Sequence, residues 1–316
     1  MTHLTWDIDP EIFQLGDFGP RYYGLMFALA FLVSYQIMVG IYRREGRAEE
    51  DLSSLLFHFM LGTIIGARVG HCLFYEPAYY LKHPLEILFI WKGGLASHGG
   101  TIGVLIAVWL FCRKHPDQPL GWIADRVAAP IGFGTACIRI GNFFNSEIIG
   151  KPTELPWGII FKRAQGLSQI PRHPAMLYEA LSYLLMFAFL TWRYRKAGDR
   201  LQPGSQIGIL FIWIFGSRFF IEFFKENQVG FEEGMALNMG QLLSIPFVLL
   251  GIFLTTGWYR KFFPSGYGDL LEETPEGTRI RQPKPAAAPT GKKETDKKGG
   301  KTPAKSGAKK SKKRKK

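Results

Sequence analysis

The residues best suited to chemistry lie in one short stretch of this chain, RIGNFFNSEIIG, at residues 139–150. The stretch ends a long apolar segment, although it contains an arginine, two asparagines, a serine and a glutamate. An ionisable group in a bilayer costs roughly 2.5–3.5 kcal/mol, so it usually faces a partner or a water-filled cavity. A helix would present on one face Arg139, Asn142, Ser146 and Glu147, with Asn145 pointing elsewhere. We interpret the stretch as a candidate functional site; a polar cluster that only joins helices is the alternative.

A second intramembrane arginine, Arg218, lies in the run FIWIFGSRFFIEFFKEN. Glu222 follows four residues later on the same helical face, and this spacing alone indicates an i,i+4 ion pair. Two arginines at one membrane depth, however, provide two permanently charged guanidinium groups, each of which can donate paired hydrogen bonds to a phosphate. Arg139 and Arg218 are therefore candidate phosphate ligands.

Two further side chains are expected at this depth. His98 lies in the glycine-rich run SHGGTIGV, where Gly99 permits a close backbone approach. A lone membrane histidine is usually a structural hydrogen bonder, but a neutral imidazole can also act as a base or a donor. Tyr23 opens the first apolar segment, where interfacial aromatic residues are common.

The elements that must position these residues are apolar segments long enough to cross a bilayer as helices. The sequence predicts an all-α polytopic membrane protein with seven transmembrane helices, at residues 22–42, 52–75, 95–111, 120–144, 174–192, 206–224 and 238–258.

Basic residues cluster in the connections after the first, third and fifth segments, and they also fill the C-terminal tail. By the positive-inside rule these parts are cytoplasmic. The N-terminus and the other connections then face outward, together with residues 139–150. Two outward connections, residues 76–94 and 146–172, are long enough to form a cap over an outward-opening cavity.

Charge divides the chain into two domains. From residue 277 onwards 16 Lys and Arg face two acids, so this tail carries +14 and the rest of the chain −1, within a total of +13. The tail has no aromatic residue and cannot bury enough apolar surface to offset its ordering entropy. We predict a membrane catalytic domain at residues 1–260 and a disordered Lys-rich cytoplasmic tail at 261–316, which could contact anionic lipids.

Neither a metal nor a cofactor is expected. The three cysteines, Cys72, Cys112 and Cys137, are widely spaced in apolar surroundings and form neither a CxxC motif nor a metal-ligand spacing. Walker and Rossmann motifs are absent as well.

The motif RIGNFFNSEIIGKPTELPWG resembles the signature of the bacterial prolipoprotein diacylglyceryl transferases. The family's other blocks occur in the same order over about residues 20–260: YYGLMF, GGLASHGG, RHPAMLYE, SRFFIEFFK and MGQLLSIP. One departure is Met176, where the family has glutamine. The basic tail is not part of the shared pattern.

The resemblance implies a seven-span enzyme of the bacterial inner membrane. It would transfer diacylglyceryl from phosphatidylglycerol to the lipobox cysteine thiol of prolipoprotein signal peptides, forming a thioether and releasing glycerol phosphate on the periplasmic side. No cofactor or nucleic acid is implied. The residues predicted as catalytic are His98, Arg139, Arg218 and Glu147. The residues predicted to bind substrate are Arg139, Arg218, Asn142, Tyr23, Gly99, Gly150 and Glu222.

Two other functions also fit part of the sequence. Intramembrane arginines could bind a phosphate in a phospholipid or anion transporter, although such transporters often have inverted repeats and we find no convincing repeat. A non-catalytic scaffold could recruit partners through the basic tail, but it leaves the clustered outer charges unexplained.

Overall fold

The computed structural model describes residues 3–14, 19–90, 94–164, 166, 169–198, 201–226, 235–258, 271–274 and 277–280. Within these ranges the chain is mainly helical. The helices are α1 (Tyr22–Arg44), α2 (Glu49–Phe74), α3 (Pro77–Lys82), α4 (Ser97–Lys114), α5 (Leu120–Phe144), α6 (Ala175–Ala197), α7 (Ser205–Ile221) and α8 (Met239–Thr255).

A helix forms at each of the seven predicted apolar segments. Five helical stretches of the described chain are long and apolar enough to cross a membrane: α1, α2, α5, α6 and α7 with the 3₁₀ turn Glu222–Phe224 that follows it. α8 is apolar but shorter. The outer surface is apolar too, since Leu32, Leu73 and Leu249 are each more than 60% exposed. A surface of this kind suits lipid rather than water, and the chain is a multi-pass helical membrane protein.

The central helix is α5, which packs against α1, α6 and α7. It contains Pro130, whose ring removes one helical hydrogen bond. Membrane helices tolerate such a proline where neighbouring groups satisfy the backbone. Separately, the Ser34 hydroxyl donates a hydrogen bond to the carbonyl of Pro130 at 3.3 Å, which ties α1 to α5.

Two further helix pairs flank this centre, α2 with α4 and α7 with α8. The α2–α4 contact depends on glycine, because a Cβ added at Gly99 would lie 2.4 Å from the carbonyl oxygen of Gly66. α8 begins with a capping box, in which the side chains of Asn238 and Gln241 bond to each other's backbone. Gln241 also donates to the carbonyl of Phe219 at 3.3 Å, so the end of α7 is joined to the start of α8.

Where the structure describes them, the connections between α2 and α4 and between α5 and α6 contain short helical turns and a strand. Residues 76–94 contain α3 and the 3₁₀ turn Pro84–Leu88. The N-terminal strand β1 (Leu4–Trp6) pairs in parallel with β2 (Ile159–Phe161), which lies in the long connection before α6. The N-terminal segment therefore adds a strand to the connection between α5 and α6.

The opposite end of the bundle is held by a buried carboxylate, Glu45, just after α1. It accepts hydrogen bonds from Arg126 at 3.0 Å, from the indole of Trp122 at 3.0 Å and from the hydroxyl of Tyr194 at 2.8 Å. Three helices, α1, α5 and α6, are thereby joined at this end.

Beyond α8, strands β3 (Leu271–Thr274) and β4 (Gly277–Ile280) pair antiparallel. Regular structure therefore continues past residue 260, where the sequence analysis places the domain boundary. Apart from these two strands, the predicted tail at residues 261–316 lies outside the described residues.

Candidate active site

Arg139 lies near the C-terminal end of α5 and is tied to α6. Its Nε lies 2.8 Å from a carboxylate oxygen of Glu179, and its Nη1 donates to the side-chain oxygen of Asn142 at 3.3 Å. Glu179 is completely buried. A buried carboxylate needs a cation close by, so the Arg139–Glu179 pair fixes the position of both helices here.

The other oxygen of Glu179 accepts a hydrogen bond from Lys225, which follows α7. The Lys225 amine is 2.8 Å from Glu179 and 3.1 Å from Glu222, and all three side chains are buried. Glu222 in turn lies 3.9 Å from Nε of Arg218. A chain of alternating charge thus runs from Arg139 to Arg218, and its three cations exceed its two carboxylates by one. The excess positive charge favours an anionic ligand.

Arg218 is the least satisfied member of this charge chain. Its side chain is 38% exposed, and the 3.9 Å approach to Glu222 is too long for a hydrogen bond. Within the described part of the chain, its Nε has no hydrogen-bond partner. That Nε atom is itself buried, so a ligand can reach the guanidinium only through the exposed part of the side chain.

The loop after Arg139 corrects one prediction. α5 ends at Phe144, so Arg139, Asn142, Ser146 and Glu147 do not share a helical face. The backbone instead turns sharply, with positive φ at Ser146 (54°) and Ile148 (57°). This conformation is unfavourable for L-residues, above all for a β-branched isoleucine, and such strain concentrates at functional sites.

This turn brings Glu147 back towards α5, and helical periodicity could not predict such a turn. Asn142 donates to one carboxylate oxygen of Glu147 at 3.1 Å, and Asn145 donates to the other at 3.1 Å. Asn145, expected to point elsewhere, is thus part of the cluster. Glu147 itself is exposed, so it is the acidic group of the site most accessible to a substrate.

Tyr23 is placed beside the same stretch of α5. A Cβ added at Gly141 would lie 2.7 Å from the Tyr23 ring, so the glycine leaves room for the aromatic side chain. The neighbouring Tyr22 stacks on Phe144 with ring centroids 4.5 Å apart. The start of α1 is therefore fixed against the end of α5.

His98 belongs to a different part of the outward surface. It is exposed at the start of α4, and its ring contacts are with Phe74 and Tyr75 at the end of α2. None of the described contacts joins His98 to Arg139. The neighbouring Gly99 lies in the α2–α4 packing contact, and helix packing accounts for the glycine.

Gly150 lies in a crowded junction of the cap. A Cβ there would lie 2.6 Å from atoms of His173 and from the carbonyl oxygen of Phe224. The guanidinium of Arg172 donates to the Gly150 carbonyl at 3.3 Å and also pairs with Glu226. Gly150 thus lets three segments of the cap meet.

His173 is a buried group of the same junction. Its Nδ1 lies 3.0 Å from the hydroxyl of Tyr178. Burial lowers the pKa of the His173 imidazole below its ordinary value, because the charged form would lose its hydration. The cap therefore contains a neutral histidine near pH 7.

The sequence analysis assigned no role to Glu179 or Lys225, although both end motifs that it quoted, RHPAMLYE and SRFFIEFFK. In the sequence, the one indication of a role for Lys225 was its position three residues after Glu222, which is the i,i+3 spacing of a helical ion pair.

The residue that departs from the family pattern, Met176, lies in the core, where its side chain is fully buried. Among the described residues, no three His, Cys, Asp or Glu side chains form a group that could hold a metal.

An apolar cavity of about 350 Å³ lies between α1, α2 and α5. It begins beside Phe27 and Ile138, which precedes Arg139, and continues to Met38 and Leu52 at the other end of the bundle. It is long and apolar, as an acyl-chain site must be.

Comparison with known proteins gives one consistent family. A family model described as prolipoprotein diacylglyceryl transferase matches residues 10–256. A phosphatidylglycerol–prolipoprotein diacylglyceryl transferase of Tolumonas auensis is 49% identical over 251 residues, covering 79% of this chain and 96% of the relative. Proteins of the same name from Chloroherpeton thalassium and Bacteroides fragilis are 45% and 43% identical, covering 80% and 82% of this chain and 93% and 96% of the relatives.

Proposed function

Because this chain belongs to the prolipoprotein diacylglyceryl transferase family, we propose that the charge chain from Arg139 to Arg218 is where it binds the phosphate of phosphatidylglycerol. The protein is a transferase that moves a diacylglyceryl group from phosphatidylglycerol to prolipoproteins. The observation that carries the site assignment is the under-satisfied guanidinium of Arg218 at the end of a buried network with excess positive charge.

The reaction is a substitution at carbon. The thiolate of the lipobox cysteine attacks the glyceryl carbon that bears the phosphate ester. A C–S bond forms, the C–O bond breaks, and the electron pair leaves with the phosphate oxygen as glycerol phosphate. The thiol proton goes to a base. Negative charge grows on the leaving phosphate, so preorganised cations lower the barrier.

The two arginines differ in how they can bind the phosphate. Arg139 is already engaged by Glu179 and Asn142, so it offers its remaining donors from a fixed position. Arg218 has a more open guanidinium, which suits bidentate binding of a phosphate. Glu179, Glu222 and Lys225 hold the arginines in place and are positioning residues.

His98 is the group proposed either to deprotonate the lipobox thiol or to hydrogen-bond to it. Within the described chain its imidazole has ring contacts and no hydrogen bond, so both nitrogens are open to a substrate. A thiol is a weak nucleophile until it is deprotonated, and a neutral imidazole is a suitable acceptor. Asn142 bonds to both Arg139 and Glu147, and Tyr23 packs beside Gly141, so these three side chains are the groups proposed to orient the glycerol head group or the peptide.

The acyl chains have a matching site in the apolar cavity between α1, α2 and α5. One end of the cavity, at Ile138, lies at the same level of α5 as Arg139, which is the depth at which the proposed phosphate site holds the lipid head group. Gly99 and Gly150 support the site through close packing of the helices and the cap.

We also propose that the chain crosses the bacterial inner membrane seven times. The N-terminus and the cap are periplasmic and the C-terminal tail is cytoplasmic, since basic residues concentrate in alternate connections. The substrates are phosphatidylglycerol and prolipoprotein signal peptides with a lipobox cysteine. No cofactor or nucleic acid takes part, and the basic tail contacts anionic lipids.

The deciding experiment is incubation of the purified full chain with phosphatidylglycerol and a lipobox peptide, followed by mass spectrometry. A diacylglyceryl adduct on the cysteine, with release of one glycerol phosphate per adduct, supports the assignment. A peptide with Ser in place of the lipobox Cys is the matched control. Movement of intact phospholipid without an adduct would instead indicate a transporter.

A further inference from the structure

A second cavity, of about 520 Å³, lies at the end of the bundle opposite Arg139. α1 and α6 each pack against α5 and form the walls of a crevice with α5 as its floor. Its deep part is apolar, with Leu32, Val33, Ile37, Ala129 and Phe187. The phosphate chemistry proposed above uses none of these residues.

The mouth of this crevice is positively charged. Arg44 and Arg195 lie there, and the guanidinium of Arg44 donates to the backbone carbonyl of Arg195 at 3.1 Å. Arg44 also lies over the ring of Tyr194, 5.3 Å from its centroid. Among the described residues, no carboxylate pairs with Arg44 or Arg195, and both side chains are exposed. Two charged residues lie deeper in the crevice: Arg126, which pairs with Glu45, and Asp125, whose carboxylate accepts hydrogen bonds from the backbone at the start of α7.

The depth of the crevice matches one lipid leaflet. Leu32 and Arg44 are 12 positions apart on α1, which at 1.5 Å per residue is about 18 Å. Half of a hydrocarbon core of about 30 Å is about 15 Å. An acyl chain lying along α1 from Arg44 would therefore end near Leu32.

We propose that this crevice binds one anionic phospholipid from the leaflet opposite the reaction site. Its phosphate contacts Arg44 and Arg195, and one acyl chain lies between α1 and α6. The Lys-rich C-terminal segment is a poor occupant, because its charge has the same sign as the mouth. α1 carries Tyr23 and α6 carries Glu179, so the lipid fills a gap between two helices of the active site without touching the reacting groups. The inference is independent of the transfer mechanism.

Site-specific photo-crosslinking tests it. A diazirine amino acid in place of Ile37 reports what lies in the crevice when the full chain is placed in vesicles of phosphatidylcholine with increasing phosphatidylglycerol. We expect a covalent phosphatidylglycerol adduct at position 37. The double change Arg44→Gln with Arg195→Gln should weaken the apparent affinity about 30-fold, since each arginine near the surface contributes to anionic lipid binding.

A second variant fills the crevice but leaves the charges of Arg44 and Arg195 in place. Gly40 lines the crevice, and a Cβ added there meets nothing within 4 Å. Gly40→Leu should therefore fold, fill the apolar part and abolish the adduct. Matched controls are Arg113→Gln, an exposed arginine of α4, and Gly216→Leu, which faces an apolar crevice between α7 and α8. Both should leave the adduct unchanged.

The proposal is overturned if phosphatidylcholine gives the adduct as readily as phosphatidylglycerol, or if neither the arginine changes nor Gly40→Leu reduces it. Competition by free glycerol phosphate would indicate a phosphate site rather than a lipid site. Crosslinking to a second copy of the chain would indicate a protein interface. All variants should retain diacylglyceryl transfer, so failure of the lipid site and failure of the proposed activity are separate results.

Discussion

Arg139 and Glu179 form an ion pair between α5 and α6, with 2.8 Å between Nε and a carboxylate oxygen. Glu179 is completely buried and also binds Lys225 at 2.8 Å, so one carboxylate holds two cations from different elements. The partner of the candidate phosphate ligand is therefore a residue 40 positions away in the sequence.

Glu179→Gln should damage both stability and activity. The amide keeps the shape but leaves Arg139 and Lys225 without their shared charge, and breaking a buried pair costs about 3–5 kcal/mol. We expect a lower thermal midpoint in detergent and transfer reduced by at least about 100-fold. Glu147→Gln is the control, since Glu147 is exposed and should leave the midpoint nearly unchanged. Equal midpoints for wild type and Glu179→Gln would contradict the role given to this carboxylate.

Arg139→Lys should give a folded protein with poor activity. Lysine retains the charge near Glu179 but lacks the planar fork that binds phosphate through two hydrogen bonds. Losing such a preorganised contact typically reduces turnover by about 100- to 1000-fold. Thioether formation per folded enzyme is the measurement, with Arg113→Lys as control. A Lys variant within a few fold of wild type would falsify the bidentate role.

Arg218→Gln should separate activity from stability. Arg218 is 38% exposed and its nearest carboxylate is 3.9 Å away, so its removal disturbs little of the fold. Thermal stability should stay within about 1 kcal/mol of wild type, as for other weakly bonded surface groups. Transfer should nevertheless fall by at least about 100-fold. Unfolding of this variant together with loss of activity would show that Arg218 is mainly structural.

The cap should lose stability in acid through His173. Burial lowers its pKa in the folded state, so the unfolded chain binds the proton more readily. The contribution of the neutral imidazole is full above the ordinary histidine pKa of about 6.5 and declines as the pH falls below it. Thermal midpoints of wild type should fall between pH 7.5 and 5, and the fall should be smaller in His173→Asn. The exposed His83, changed to Asn, should leave the pH dependence as it is.

The proposed orientation can be tested by labelling. In a background without Cys72, Cys112 and Cys137, an impermeant thiol reagent added outside spheroplasts should label Glu154→Cys in the exposed cap. Ser306→Cys in the tail should react after permeabilisation. Labelling in the reverse pattern would place the active site on the other side of the membrane.

The sequence by itself determined where the helices form, and it also selected several of the candidate site residues. Apolar runs of bilayer length form helices because their backbone groups must be satisfied within the segment, and that requirement is local. Arg139, Asn142 and Arg218 could be selected for a similarly local reason, since charged and amide side chains are costly in apolar segments.

The tertiary structure decided which side chains meet. Helical periodicity placed Glu147 on the face of Arg139, but α5 ends at Phe144 and the strained turn at Ser146 re-aims the loop. Glu179 became the partner of Arg139 because α6 packs against α5 in one register. Gly99 lies in a helix contact for the same kind of reason. Such pairings depend on the register and rotation of helices far apart in the chain, which the periodicity of any single helix does not encode.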